Sequence, residues 1–230
     1  MLIRLEDLRD LTARTAEGNG HTVLDLFVRR TDLTATHVLI RLGTWFDRSE
    51  CALRIRTMGE PDVGEDSWPA NVDEDQVRRA PREPGPGTTA DADIDVAVVA
   101  PEGEALDPAR LSDTECALSE AKAGDLVRLG ELLDAPVRDS AGTEAVSVMD
   151  AILDSDGWRV AMLVVRTGAG GVANQRVVPM DMIAGVDWSP AGVSLRCGAQ
   201  ALADAPDLHE AGARIEGHWY NRVLAYYGIG

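Results

Sequence analysis

Leu2-Ile-Arg-Leu-Glu-Asp-Leu-Arg-Asp10 and Leu126-Val-Arg-Leu-Gly-Glu-Leu-Leu-Asp134 are one segment written twice, 124 positions apart. Such self-similarity decides the fold before any other signal, because it replaces one large domain by one structural unit made twice. Past a one-residue insertion the offset becomes 125: Asp25 meets Asp150, His37-Val-Leu-Ile-Arg-Leu-Gly43 meets Met162-Leu-Val-Val-Arg-Thr-Gly168, and Ala80-Pro81 meets Ala205-Pro206. Over residues 2 to 43 the identical positions include Leu2, Arg4, Leu5, Leu8, Asp10, Arg14, Gly18, Asp25, Arg41 and Gly43, and most of the others exchange one aliphatic residue for another. The 230-residue chain is therefore read as two copies, residues 1–81 and 126–206, with a connecting segment, 82–125, and a tail, 207–230.

Each copy reads as strands. Aliphatic and β-branched residues gather in short runs at Val23 to Val28, His37 to Leu42, Ala151 to Leu153, Val160 to Val165 and Gln175 to Val178, separated by Gly, Asp, Asn and Pro. Several short strands at even spacing in about eighty residues predict a small closed barrel, the arrangement that leaves no unpaired edge. Near the end of each copy, Asp73-Glu-Asp-Gln-Val-Arg-Arg-Ala-Pro81 and Gly198-Ala-Gln-Ala-Leu-Ala-Asp-Ala-Pro206 predict one helical turn stopped by proline.

Between the copies, Pro81-Arg-Glu-Pro-Gly-Pro-Gly87 opens a linker too rich in Pro and Gly for regular structure. Ile94 to Ala100 then reads as an added strand, and Ser112-Asp-Thr-Glu115 has the form of a capping box for a helix ending at Gly124. In the tail, Ile215, Trp219, Val223 and Tyr226 recur at helical spacing and predict an amphipathic helix. The fold class expected is mainly β: two small barrels in tandem, a linker helix and a C-terminal helix.

Leu126-Val-Arg-Leu-Gly-Glu-Leu132, Asp150, Trp158-Arg-Val-Ala-Met-Leu-Val-Val-Arg-Thr-Gly168 and Arg176-Val-Val-Pro179 resemble the PRC-barrel family, named for the cytoplasmic domain of the photosynthetic reaction centre H subunit and shared by the C-terminal domain of ribosome-maturation factors. The first copy echoes it more faintly, through Asp25, the His37 to Gly43 run and Gln76-Val77 before Ala80-Pro81, with Leu33 where the family's Trp is expected. The Asp-Gly dipeptide that often opens the family's second hairpin is replaced by Glu17-Gly18 and Ala141-Gly142. The resemblance covers residues 2–81 and 126–206, and it implies a scaffold for protein contacts and complex assembly, without shared catalytic residues.

With 22 basic and 39 acidic residues the net charge is −17, which repels phosphate backbones and favours a basic partner, so direct nucleic-acid binding is not expected. The apolar runs fall far short of the ~20 residues a membrane span requires, and the acidic start lacks the apolar core of a secretory signal, so the chain is read as cytoplasmic. Cys51, Cys116 and Cys197 are odd in number and far apart, suggesting neither disulfides nor a zinc knuckle.

Chemical motifs fail for want of context. Gly168-Ala-Gly170-Gly-Val-Ala173 satisfies G-x-G-x-x-A after a strand, but the β-like Asn174-Gln-Arg-Val-Val-Pro follows where a dinucleotide site needs a helix. Gly85-Pro-Gly87-Thr-Thr lacks the lysine of a phosphate loop, Lys122 being far from any Gly-rich turn. Asp91, Asp93 and Asp95 alternate on one side of an extended chain, without the glycine bend or closing Glu of a calcium loop. His21, His37, His209 and His218 lack metal-ligand spacing, and His37 aligns with Met162, as a packing residue would. Asp25 and Asp150 recur, and a repeated Asp at a strand end is read as satisfying backbone N–H groups. Neither catalytic residues nor a cofactor or metal site is expected.

What remains is the tail, whose Trp219, Tyr220, Tyr226 and Tyr227 are the residue types that anchor interfaces and are the candidate partner-binding residues. The same helix has the alternative of packing on its own barrel. The function expected is a non-catalytic protein-binding or assembly module whose partner is a protein of basic character. Alternatives are a ribosome-assembly factor acting through a basic ribosomal protein, and a small-ligand carrier or enzyme with an unseen constellation. Small barrels are marginal alone, so an intramolecular pseudo-dimer or a homodimer is also expected.

Overall fold

A computed structural model describes residues 1–42, 50–79, 126–167, 174–212 and 215–230. The first repeat supplies β1 (Leu2–Arg4), β2 (Thr12–Arg14), β3 (Gly20–Arg29), β4 (Ala35–Arg41), β5 (Glu50–Arg54) and β6 (Ser67–Pro69). The second supplies β7 (Leu126–Arg128), β8 (Pro136–Arg138), β9 (Glu144–Asp154), β10 (Arg159–Thr167), β11 (Asn174–Pro179), β12 (Ile183–Trp188) and β13 (Ala191–Leu195). The fold is mainly β, as expected, with helices at Leu5–Arg9, Glu74–Arg79, Ala199–Ala203 and Gly217–Tyr226 among the described residues.

The repeat persists in backbone detail. The 3-10 turns Ile55–Thr57 and Met180–Met182 stand 125 positions apart, as do the unusual left-handed residues Leu33 (φ 54°) and Trp158 (φ 48°). Gly18 (φ 85°) and Gly142 (φ 80°) turn β2 into β3 and β8 into β9, where a side chain would be strained. The parallel pairing of β2 with β6 (Ala13 opposite Trp68) is repeated by β8 with β13 (Val137 opposite Val193). One ladder has eroded: the antiparallel β12–β13 pair corresponds in the first copy to two isolated bridges, Met58 with Ala70 and Asp62 with Ser67.

The chain folds into two compact units that do not follow the repeat boundaries. An N-terminal unit comprises Asp7–Arg128, and a C-terminal unit comprises Met1–Glu6 with Leu129–Gly230. Each unit thus receives its first short strand from the other repeat. β1 lies beside β9, with Leu2 opposite Asp154, Ile3 opposite Leu153 and Arg4 opposite Ile152. β7 lies beside β3, with Leu126 opposite Arg29, Val127 opposite Val28 and Arg128 opposite Phe27. The two registers are identical once the offsets of 124 for the exchanged strand and 125 for the receiving strand are applied.

Strands β3 and β9 organise their sheets because they are long enough to serve two neighbours along one edge. One edge of β9 carries β8 along its first half and β1 along its last residues, while β10 runs along the other edge. The strand order is β11-β10-β9-β8-β13-β12 in the C-terminal unit and β5-β4-β3-β2-β6 in the N-terminal unit. Among the described residues no ladder joins the ends of either order, so these are open mixed sheets where closed barrels were expected. In the C-terminal unit, irregular chain protects the edge instead: Val177 donates its N–H to Pro206 O at 3.2 Å, and Arg176 Nη1 donates to Ala205 O at 2.7 Å.

β10 is buried on both faces from Met162 to Val165, because the side chains that alternate outward from the sheet are also covered there. The helix Glu74–Arg79 begins with a reciprocal capping box, Asp73 Oδ1 accepting from Gln76 N–H at 2.6 Å and Gln76 Oε1 accepting from Asp73 N–H at 2.9 Å. The linker from Pro81, the expected strand Ile94 to Ala100, the capping box Ser112 to Glu115 with its helix, Asp91, Asp93, Asp95, Cys116, Lys122 and the loop Gly168 to Ala173 lie outside the described residues.

Candidate protein-interaction site

The recurring aspartates lie inside strands, not at strand ends as the sequence suggested, each following a β-bulge. Val23 faces Ile40 and Asp25 faces Leu39, leaving Leu24 as the extra residue, while Val148 faces Val165 and Asp150 faces Val164, leaving Met149. The carboxylate bonds backbone that the bulge displaces. Leu26 N–H donates to Asp25 Oδ1 at 2.8 Å, and Ala151 N–H donates to Asp150 Oδ1 at 2.9 Å.

Asp150 also receives the exchanged strand. Arg4 Nε donates to its Oδ2 at 2.8 Å, and the N–H of Glu6 donates to Oδ1 at 3.2 Å. Asp150 is only 3% exposed, and burial, outweighing Arg4 and the N–H donors, holds its carboxyl above the usual range. Arg4 also pairs with Glu6. In the N-terminal unit Arg128, the counterpart of Arg4, donates through Nη2 to Glu50 Oε2 at 2.9 Å. The sequence reading missed both arginines and Glu50. The recurrence of Arg4 and Arg128 beside a recurring Asp was the signal for the first two, and nothing at the position of Glu50 pointed to it.

The four tail aromatics divide between core and surface. Trp219 is 2% exposed and closes an apolar cluster with Ile152, Met162, Val164, Val177, Leu208 and Val223. Tyr220 and Tyr227 pack at its margin, with Leu2 of the exchanged strand. Tyr227 donates its hydroxyl to Val177 O at 3.1 Å, and burial pushes that hydroxyl well above the usual phenol range. Tyr226 remains 41% exposed, its hydroxyl donating to Ala201 O at 2.7 Å and its ring edge-on to Tyr227 with centroids 4.9 Å apart. The tail helix therefore packs on its own unit, and Tyr226 is the member of the quartet that faces out.

The other weighed residues are not brought together. His21 Nε2 lies 3.0 Å from Glu74 Oε2, and His218 pairs with Glu216 at the exposed start of the tail helix. His209 donates its backbone N–H to Asp207. His37 is buried in β4, Nδ1 2.9 Å from Thr36 Oγ1 and Nε2 unbonded, and burial together with Arg54 lowers its pKa from 6.5 to about 4. Cys51 and Cys197 are buried. Among the described residues no group of three or more His, Cys, Asp or Glu side chains is placed to hold a metal, and no helix is long and apolar enough to cross a membrane.

Neither protein-family models nor curated proteins yield a match to this chain.

Proposed function

We propose that this chain is a non-catalytic binding and assembly module, built from two PRC-like repeats, that captures a protein of basic character. Tyr226 carries this reading. It is a large, half-open aromatic held still by a hydroxyl bond and by Tyr227, so little conformational freedom is lost when a partner covers it. The helix that presents it at its last residue is fastened from below by Trp219 and Val223. A net charge of −17 supplies attraction at a distance, raising the rate at which a basic surface arrives.

The experiment is affinity capture of the tagged chain from its own cells at low and high salt, with mass spectrometry of what remains, repeated with Tyr226→Ala. A stoichiometric basic protein that is lost at high salt and retained less well by Tyr226→Ala supports the module. Ribosomal proteins in that fraction would favour a role in ribosome assembly. A retained small molecule with no protein partner would overturn the proposal in favour of a ligand carrier or an enzyme.

A further inference from the structure

The two exchanged strands are nearly the same ligand. Leu2-Ile3-Arg4 and Leu126-Val127-Arg128 differ by one methylene, at the middle residue. They dock in the same register: Ile3 opposite Leu153 and Val127 opposite Val28, Arg4 opposite Ile152 and Arg128 opposite Phe27. Each groove lies along the last residues of a long strand whose bulge carries a buried Asp, and in the C-terminal unit that Asp takes Arg4. The grooves thus recognise two aliphatic residues followed by arginine. Nothing in that chemistry registers which chain the strand came from. Connectivity enters only where the backbone passes between units, at Glu6 to Asp7 and at Arg128 to Leu129.

From this we infer that the exchange is also an assembly interface, and that its occupant is a second copy of this chain. One molecule delivers its β1 to β9 of the other and receives the other's β1 in return. The contacts are those already made within one chain, so the closed pair requires no new surface. Arg4 and Asp150 then come from different molecules. The inference is independent of the partner proposed for Tyr226, since neither groove includes the tail's outer face.

Charge reversal separates exchange between chains from exchange within one. Arg4→Asp and Asp150→Arg each place like charges together, so each variant alone should melt earlier than the parent. Mixed in equal amounts and annealed, the two variants can restore opposite charge at both grooves only by trading β1 between molecules. The mixture should then regain most of the lost melting temperature and show, by native mass spectrometry, a species holding one copy of each variant at twice the 24.6 kDa chain mass. A mixture that melts as the sum of its parts and stays at single-chain mass overturns the inference. Should either variant fail to fold, parent chain in isotopically labelled and unlabelled form supplies the second measurement after concentration and annealing. Mixed dimers that vanish on deletion of residues 1–4 support the inference, and no dimer, or a dimer indifferent to that deletion, overturns it.

Discussion

Replacing Arg4 by methionine should unfold the far end of the sequence more readily than the near end. Arg4 belongs to the first repeat, yet its guanidinium serves Asp150 in the unit made of residues 129–230. Methionine keeps the length and apolar stem and removes the charge from beside a carboxylate that is 3% exposed. Breaking a buried ion pair from one side costs about 3–5 kcal/mol, and because the Arg4 side chain keeps 27% of its exposure the cost here is nearer 2–3 kcal/mol. That corresponds to exchange of globally protected amides roughly 30 to 150 times faster. Hydrogen exchange should show the loss in β9 and β10 and leave β3 and β4 as they were. The penalty should also depend on pH. Burial already holds the Asp150 carboxyl above its usual value, so the folded state favours the proton and the stability from this group is lost as pH rises through the folded pKa. Removing Arg4 raises that pKa further, making the penalty smaller near pH 4 than at neutrality. Faster exchange in β3 and β4 rather than β9 and β10, or a penalty that grows on acidification, would refute the reasoning.

Other residues give sharper separations of stability from binding. Trp219→Ala empties the cluster beneath the tail helix and should cost the C-terminal unit about 3–5 kcal/mol in denaturant titration. Tyr226→Ala loses one hydroxyl bond at a half-open position and should cost only about 1 kcal/mol, while lowering affinity for the captured partner in a direct titration. His37, lowered from 6.5 to about 4, contributes stability that is present above pH 6.5 and lost as pH falls through that interval, a total of about 3 kcal/mol. His37→Met, which copies the second repeat, should flatten the stability profile between pH 7 and pH 4, as measured by urea midpoints.

The strands and the two-copy organisation were legible because they are written in short-range pattern: runs such as Val160 to Val165, turn glycines such as Gly142, and a fixed offset. The assignment of strands to units was not. Leu2-Ile3-Arg4 carries the same letters whether it pairs with β3 or with β9, and no local signal states which groove it enters. Asp25 and Asp150 were seen as recurring but misplaced at strand ends, because a bulge is a mismatch between two strands and cannot be seen in either alone. Trp219 was read as an interface residue from its type. The spacing put Ile215, Trp219, Val223 and Tyr226 on one helical face; Trp219 and Val223 do share the buried side, but Ile215 precedes the helix and bridges Leu2, and Tyr226 is exposed.

The positions that the copies hold in common bear on why they are joined. Leu2, Arg4, Leu5 and Leu8 lie in the exchanged strand and the helix after it, and Asp25 is the counterpart of the Asp that receives Arg4, so five of the identical positions concern the exchange. Leu5, Leu8, Leu129 and Leu132 are fully buried, which fixes the turn from which each strand departs. The copies also differ on the sheet face that the tail helix covers in the C-terminal unit. Ile152 and Met162 meet Trp219, whereas their counterparts are Phe27 and His37. Each unit takes its first short strand from the other repeat, so neither repeat is a complete unit when cut from the other.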